Sequence, residues 1–178
     1  MWADEFRALQ RHSHDVAADL PIIGVLHRSM AAILIIAHAP LASSLRAVAQ
    51  HVYPDCSRRL AALDVDAGAS VEQIESQARA LLGTLGQPDA LILADVYGAT
   101  PCNAAMKLAD GVHVRVVAGV NVPMVWRALC YATEPIDELA ARAVAGATQG
   151  VVQAVLPKPQ EQAKAVVSDD QDEHHHQQ

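Results

Sequence analysis

The sequence predicts an α/β fold, a doubly wound three-layer sandwich of four parallel strands between helices, with a further C-terminal edge strand. Three observations carry that expectation. The runs Ala32 to Ala37 (AILIIA) and Ala90 to Ala94 (ALILA) are short and wholly apolar, without the alternation of a half-solvated strand, as expected where both faces are covered. The segments between the strands carry apolar residues at helical spacing and open on proline or a capping residue. Hydrophobic residues make up 52% of the chain and aromatics only 3%, a mass of Ala, Val, Leu and Ile that suits helices on a parallel sheet better than an aromatic-rich sandwich.

Ala32 to Ala37 is the first strand, and the helix after it, Leu41 to Val52, shows a stripe of Leu41, Leu45, Val48 and Val52 behind Pro40, whose fixed φ suits a first turn. Leu60 to Val65 is the second strand. Ser70 stands three residues before Gln73, a capping-box spacing, and opens a helix through Ile74, Ala78, Leu81 and Leu82 that stops between Gly83 and Gly86. Ala90 to Ala94 is the third strand; the polar turn Asp95 to Thr100 and a helix opened by Pro101 repeat the layout of the first unit. Val112 to Ala118 is the fourth strand, Gly119 to Val122 a loop, and Pro123 opens a helix through Trp126, Leu129 and Cys130. Pro135 begins a helix over Ile136 to Thr148, with a stripe of Ile136, Leu139, Ala143 and Val144, ended by Gly150. The β-branched Val151 to Leu156 is the expected fifth strand.

These elements give one domain over residues 31–157, an N-terminal extension over 1–30 and a disordered, Gln- and His-rich tail over 158–178. Met30, directly before the first strong strand, is a candidate native start, set against a loosely attached helix around Asp4 to Gln10. Twenty acidic against thirteen basic residues, net charge -7, leave no broad cationic surface for nucleic acid. Cys56, Cys102 and Cys130 are odd in number and lack CxxC spacing, which argues against a disulfide framework or a zinc site and for reduced thiols in a cytoplasm. No apolar stretch approaches the roughly twenty residues of a membrane span, and Pro21 to Leu26 is too short for the apolar region of a signal peptide.

Ligands of doubly wound sheets sit beyond the carboxyl ends of the strands. That rule selects His38, Asp64 and Asp66, Asp95 to Asn103, and Gly119 to Pro123. His38 is the polar group ending an otherwise apolar strand, and an unprotonated imidazole there is a competent phosphoryl acceptor if a carboxylate fixes its tautomer. Asp95, at the end of a strand expected beside the first, is that carboxylate; a capping or surface role is the bland alternative for His38. The turn Tyr97-Gly98-Ala99-Thr100-Pro101 offers backbone N–H donors and the Thr100 hydroxyl to a phosphoryl group, and reads equally as an ordinary turn with Thr100 as N-cap. GxxxxGK[ST] and GxGxxG are absent, so nucleotide binding lacks support. Asp64 and Asp66 add acidity or simply turn the chain before Gly68. Cys102 reads better as a small buried residue than as a reactive thiol, Met124 and Trp126 as core or interface, and His174 to His176 as solvated tail rather than a metal site.

The blocks IIAHAPLASSL (Ile35 to Leu45), LADVYGATPCNAA (Leu93 to Ala105) and VVAGVNVPMVWRAL (Val116 to Leu129), in this order and at these separations, resemble the mannose/fructose-type IIA family of the phosphoenolpyruvate-dependent sugar phosphotransferase system. The resemblance covers about Ala31 to Leu156. It implies that His38 is the phosphorylated histidine, Asp95 its hydrogen-bonding partner, and Thr100 the hydroxyl near the phosphoryl group. It implies delivery by the phosphocarrier HPr, departure to a histidine of a IIB component, and a homodimer that exchanges Val151 to Leu156. The membrane is then involved only indirectly, through the transporter. Two departures stand out: Ala39 and Pro40 follow the histidine where many relatives have glycine, and Tyr97-Gly98-Ala99-Thr100 replaces the Trp-Gly-Gly-Ser of the mannose members. No IIB domain is expected within residues 158–178.

The expected mechanism is in-line transfer to His38, with Asp95 orienting the ring and the Tyr97 to Thr100 turn holding the oxygens, requiring neither metal nor cofactor. The added negative charge calls for N–H and hydroxyl donors from the site and arginines from the protein partner. Two other readings stand beside it: a non-transport regulatory module of an incomplete phosphotransferase system, and the phosphocarrier subunit of dihydroxyacetone kinase. The GATPCN and NVPM segments favour the mannose type over the latter.

Overall fold

The computed structural model describes residues 30–55 and 57–154. The N-terminal extension with its alternative helix around Asp4 to Gln10, the segment Pro21 to Leu26, Cys56, the 158–178 tail and its histidines therefore lie outside the described residues. The order of elements is β1 (Ala32–His38), α1 (Leu41–Val52), a 3₁₀ turn (Ser57–Arg59), β2 (Leu60–Val65), α2 (Val71–Leu85), β3 (Ala90–Ala94), α3 (Thr100–Met106), β4 (Val114–Ala118), α4 (Val122–Cys130) and α5 (Ile136–Gln149). All strand pairs are parallel, in the spatial order β2-β1-β3-β4.

Alternation along the central strands builds two separate cores, because successive side chains of a strand point to opposite faces. Ile33, Ile35 and Ala37 pack with Leu91 and Leu93 under Ala42, Leu45 and Ala49 of α1, Met124, Val125 and Leu129 of α4, and Leu139 and Ala143 of α5. Leu34, Ile36 and Ile92 pack on the other side, under Ile74 and Ala78 of α2 and Ala104 and Ala105 of α3. Both central strands are therefore apolar throughout because neither of their faces meets water.

The helix signals are realised as hydrogen bonds. Ser70 and Gln73 form a complete capping box at 3.2 and 3.0 Å, and Gly86 closes α2 in the left-handed conformation, φ 62°. Asn121, a cap the sequence reading missed, accepts the Met124 N–H at 2.9 Å and donates to the Ala147 carbonyl at 3.2 Å, tying the start of α4 to the end of α5.

Several expectations need correction. In α1 the core contacts are Ala42, Leu45 and Ala49, while Leu41, Val48 and Val52 of the expected stripe stand exposed. Small side chains let the helix approach the sheet, so the larger residues fall on the flank. Val144 of α5 is exposed for the same reason: Ala143, Gly146 and Ala147 occupy the contact face. The fourth strand begins at Val114, because Asp110 holds the N–H groups of Val112, His113 and Val114 in a turn at 2.9, 2.7 and 2.9 Å. Thr100 is the first residue of α3, and Ala99 takes the capping position without a side-chain hydrogen bond. Residues 151–154 of the expected fifth strand are exposed and pair with no strand among the described residues; Val155 and Leu156 lie outside them. No helix among the described residues is long and apolar enough to cross a membrane.

Two predictions follow from this packing. A Cβ at Gly146 would lie 2.8 Å from Arg127 Cβ and 3.1 Å from the Pro123 carbonyl. Gly146→Ala gains up to about 1 kcal/mol of helix propensity against an overpacking cost of roughly 1–3 kcal/mol. Net destabilisation is expected in denaturant titration; a more stable variant would refute the close α4–α5 contact. The Asp110 carboxyl is held down to about 2 by the N–H groups of Val114, Val112 and His113. Its stabilisation is thus fully present above an unfolded value of about 4 and is lost as pH falls through about 2. Asp110→Asn should flatten the acid limb of the stability–pH curve, and an unaltered limb would remove this group from the balance.

Candidate functional site

The β1–β3 ladder ends at the pair Ile36 and Ala94, and one residue past it the Asp95 side chain takes over as acceptor. Asp95 Oδ2 accepts the His38 main-chain N–H at 2.9 Å and stands 2.6 Å from His38 Nδ1, while Oδ1 accepts the Val96 N–H at 2.8 Å. One carboxylate thus closes the end of the sheet, starts the following turn and orients the imidazole. Its side chain is 7% exposed and that of His38 is 55% exposed, so the carboxylate is sheltered while the ring is open to solvent.

Burial pushes the Asp95 carboxyl up, yet the His38 N–H, the His38 ring and the Val96 N–H together hold it below its ordinary value. The ionised carboxylate can only accept, so the proton between it and the ring belongs to Nδ1. In the neutral imidazole Nε2 then carries the lone pair. That tautomer, with its nucleophilic nitrogen away from the carboxylate, is what a group-transfer histidine needs.

The other selected loops converge on the same end of the sheet. His38 pairs with Val65 of β2, and the Ala39 N–H donates to the Val65 carbonyl at 3.0 Å. Asp64 accepts the Ser43 N–H at 3.0 Å, and so fixes the first turn of α1 to the end of β2; the Asp66 carbonyl accepts from Ala69 in the following turn. The turn after β3 is braced by Ala99 N–H on the Val96 carbonyl at 3.2 Å and by the Asn103 side-chain amide on the Gly98 carbonyl at 3.0 Å. Gly98 has φ +83°, which favours glycine over any residue with a Cβ. Gly119 and Val120 N–H groups reach the carbonyls of Asp95 and Ala94, both at 2.9 Å, so the loop after β4 lies against the same edge.

Gly98 and Thr100 are exposed and Ala99 is half-buried, whereas the Tyr97 side chain is 83% exposed and contributes only its main chain to the turn. Cys102 is buried. Asn103 was singled out only as part of the loop, and its bracing role was legible from its place three residues into a helix behind a glycine turn. Among the described residues no group of three or more His, Cys, Asp or Glu side chains could hold a metal ion. The four loops, residues 38–45, 64–70, 95–104 and 119–124, contain Asp64, Asp66 and Asp95 but no lysine or arginine.

Comparison with known proteins agrees with this architecture. Residues 32–144 match the family model EIIA-man, described as the fructose IIA component of the PTS system. The mannose-specific EIIAB component of the PTS system from Escherichia coli strain K12 is 38% identical over 96 residues, which is 52% of this chain and 28% of that protein's length. The mannose/sorbose specific IIA subunit of the phosphotransferase system from Enterococcus faecalis is 30% identical, with a TM-score of 0.65 over 72% of this chain and 98% of that one. The phosphotransferase system component EIIA from Streptococcus agalactiae, 21% identical, shares the fold with a TM-score of 0.63 over 70% of this chain and 97% of its own.

The shared carboxylate gives a direct expectation. Asp95→Asn keeps the shape but presents an amide that can donate to the ring, removing the preference for Nδ1–H, so transfer through His38 should slow on the order of 10²-fold. Circular dichroism should report a retained fold. An unchanged rate would take Asp95 out of the chemistry.

Proposed function

The chain belongs to the EIIA-man family of phosphotransferase-system IIA components, and on that premise we propose that it is a phosphoryl carrier that accepts phosphate on His38 Nε2 from phospho-HPr and passes it to a IIB component. The observation that carries this reading is the exposed imidazole whose Nδ1 is 2.6 Å from a sheltered carboxylate. In the transfer, the bond from phosphorus to the donor's ring nitrogen breaks, its electron pair returns to that ring, and the Nε2 lone pair of His38 forms the new bond. Asp95 stabilises the charge that develops on the ring. The main-chain N–H groups of Gly98 and Thr100 and the Thr100 hydroxyl meet the equatorial oxygens, the Ala99 N–H being held by the Val96 carbonyl. No step calls for a metal or a nucleotide.

The same reading includes a cytoplasmic homodimer in which residues 151–156 of each subunit add to the free edge of β4 of the other. Its support is that β4 ends the sheet with every residue half-buried, and that Val151 and Val152 stand exposed immediately after α5.

The test is incorporation of label from phosphoenolpyruvate in the presence of the first enzyme of the relay and HPr. One acid-labile, base-stable phosphoryl group per chain is expected, with incorporation lost in His38→Ala. Label that survives this substitution would defeat the site; absence of label in the parent protein would defeat the carrier reading.

A further inference from the structure

We propose that residues 2–20 form an amphipathic helix that docks along the exposed stripe of α1, Leu41, Val48 and Val52, beside the helices already on that face of the sheet. The docking is independent of phosphoryl transfer, and its test does not use the transfer reaction.

Residues 1–29 lie outside the described residues, and their sequence supplies one side of the fit. Trp2, Phe6, Leu9, Val16 and Leu20 fall within about 40° of one line on a helix of roughly 3.6 residues per turn. Asp4, Arg7, Arg11 and Asp15 fall on the opposite side, and Pro21 ends the pattern. The stripe holds the chain's single phenylalanine and one of its two tryptophans, a large apolar area that stays in water unless another surface covers it. A polar face with both signs of charge does not select an anionic lipid surface, which draws helices rich in Lys and Arg.

The receiving face lies where this segment enters the domain. Leu41, Val48 and Val52 are 39%, 40% and 41% exposed, beside the core-facing Ala42, Leu45 and Ala49. They fall within about 20° of one line that runs about 16 Å along α1. The Ala31 N–H donates to the Ala132 carbonyl at 2.8 Å, and both alanines belong to the core under α1, α4 and α5, so the chain enters β1 on that side of the sheet. Because α1 runs back along β1, Val52 and Tyr53 stand at the end where the chain enters, and Tyr53 meets Trp126 of α4 edge-on at 6.0 Å between ring centroids. Residues 21–29 reach at most about 30 Å, enough to turn residues 2–20 back beside α1. The other end of the chain is a poorer occupant, since residues 157–178 offer only Val166 and Val167 as large apolar side chains.

Hydrogen exchange read by mass spectrometry on the full chain tests the docking. A helix of this length owes its stability to packing rather than to propensity, so residues 2–20 should exchange at least about tenfold more slowly than an unstructured chain. Val48→Lys combined with Val52→Lys, both at exposed positions, should return them to unstructured rates while the exchange of β1 and β3 stays unchanged. Phe6→Asp, placed outside the domain so that its fold is untouched, should release the same residues. Unprotected residues 2–20 in the parent chain, or protection that survives these substitutions, would overturn the proposal. Protection lost on dilution would overturn it in favour of docking onto a second copy, and protection gained only with phosphatidylserine vesicles would overturn it in favour of a lipid surface.

Discussion

The structure turns on one carboxylate. Asp95 stands at the first position past the end of β3, where the backbone ladder with β1 runs out, and its two oxygens take three contacts: the main-chain N–H of His38, the Nδ1 side of its ring, and the N–H of Val96. A residue without a side-chain acceptor there would leave strand end, turn and imidazole without a common anchor. Hydrogen bonds to an ionised acceptor are about twice as strong as neutral ones, and here they also outweigh the burial that pushes the carboxyl up. Local structure and chemistry thus share a single side chain.

That anchor works because the sheet behind it is rigid. β1 and β3 are buried on both faces, so their last residues inherit positions fixed by two independent cores. His38 continues the alternation of Leu34 and Ile36, but with no helix left to cover it. An apolar strand that ends in an uncovered imidazole converts packing precision into an exposed, oriented ring. The loops that surround it, residues 38–45, 64–70, 95–104 and 119–124, carry carboxylates and no lysine or arginine.

Much of the layout was legible residue by residue. The bounds of α1, β2 and β3, the Ser70–Gln73 capping box and the strand-ending position of His38 agree with the pattern in the sequence, because each rests on local rules: helical spacing, apolar runs bounded by turns, caps at fixed offsets. The helix faces were less legible. Leu41, Val48 and Val52 complete a stripe at helical spacing, yet Ala42 and Ala49 flank Leu45 in the contact with the sheet, since close approach favours small side chains there. The role of Asp110 is not legible in the sequence, because a carboxylate that gathers three successive N–H groups leaves no periodic trace.

The sequence by itself determined the placement of the four paired strands and five helices, that the two central strands are buried on both faces, and that a histidine and an aspartate each stand at a strand's carboxyl end. Those facts depend on neighbours a few residues apart. The strand leading to Asp95 is expected beside the first, but only the tertiary structure decided the register that sets Ala94 against Ile36, and so puts Asp95 within reach of both the main chain and the ring of His38. Register is a property of two distant segments packed against common helices, and a shift of one residue would turn the carboxylate to the opposite face.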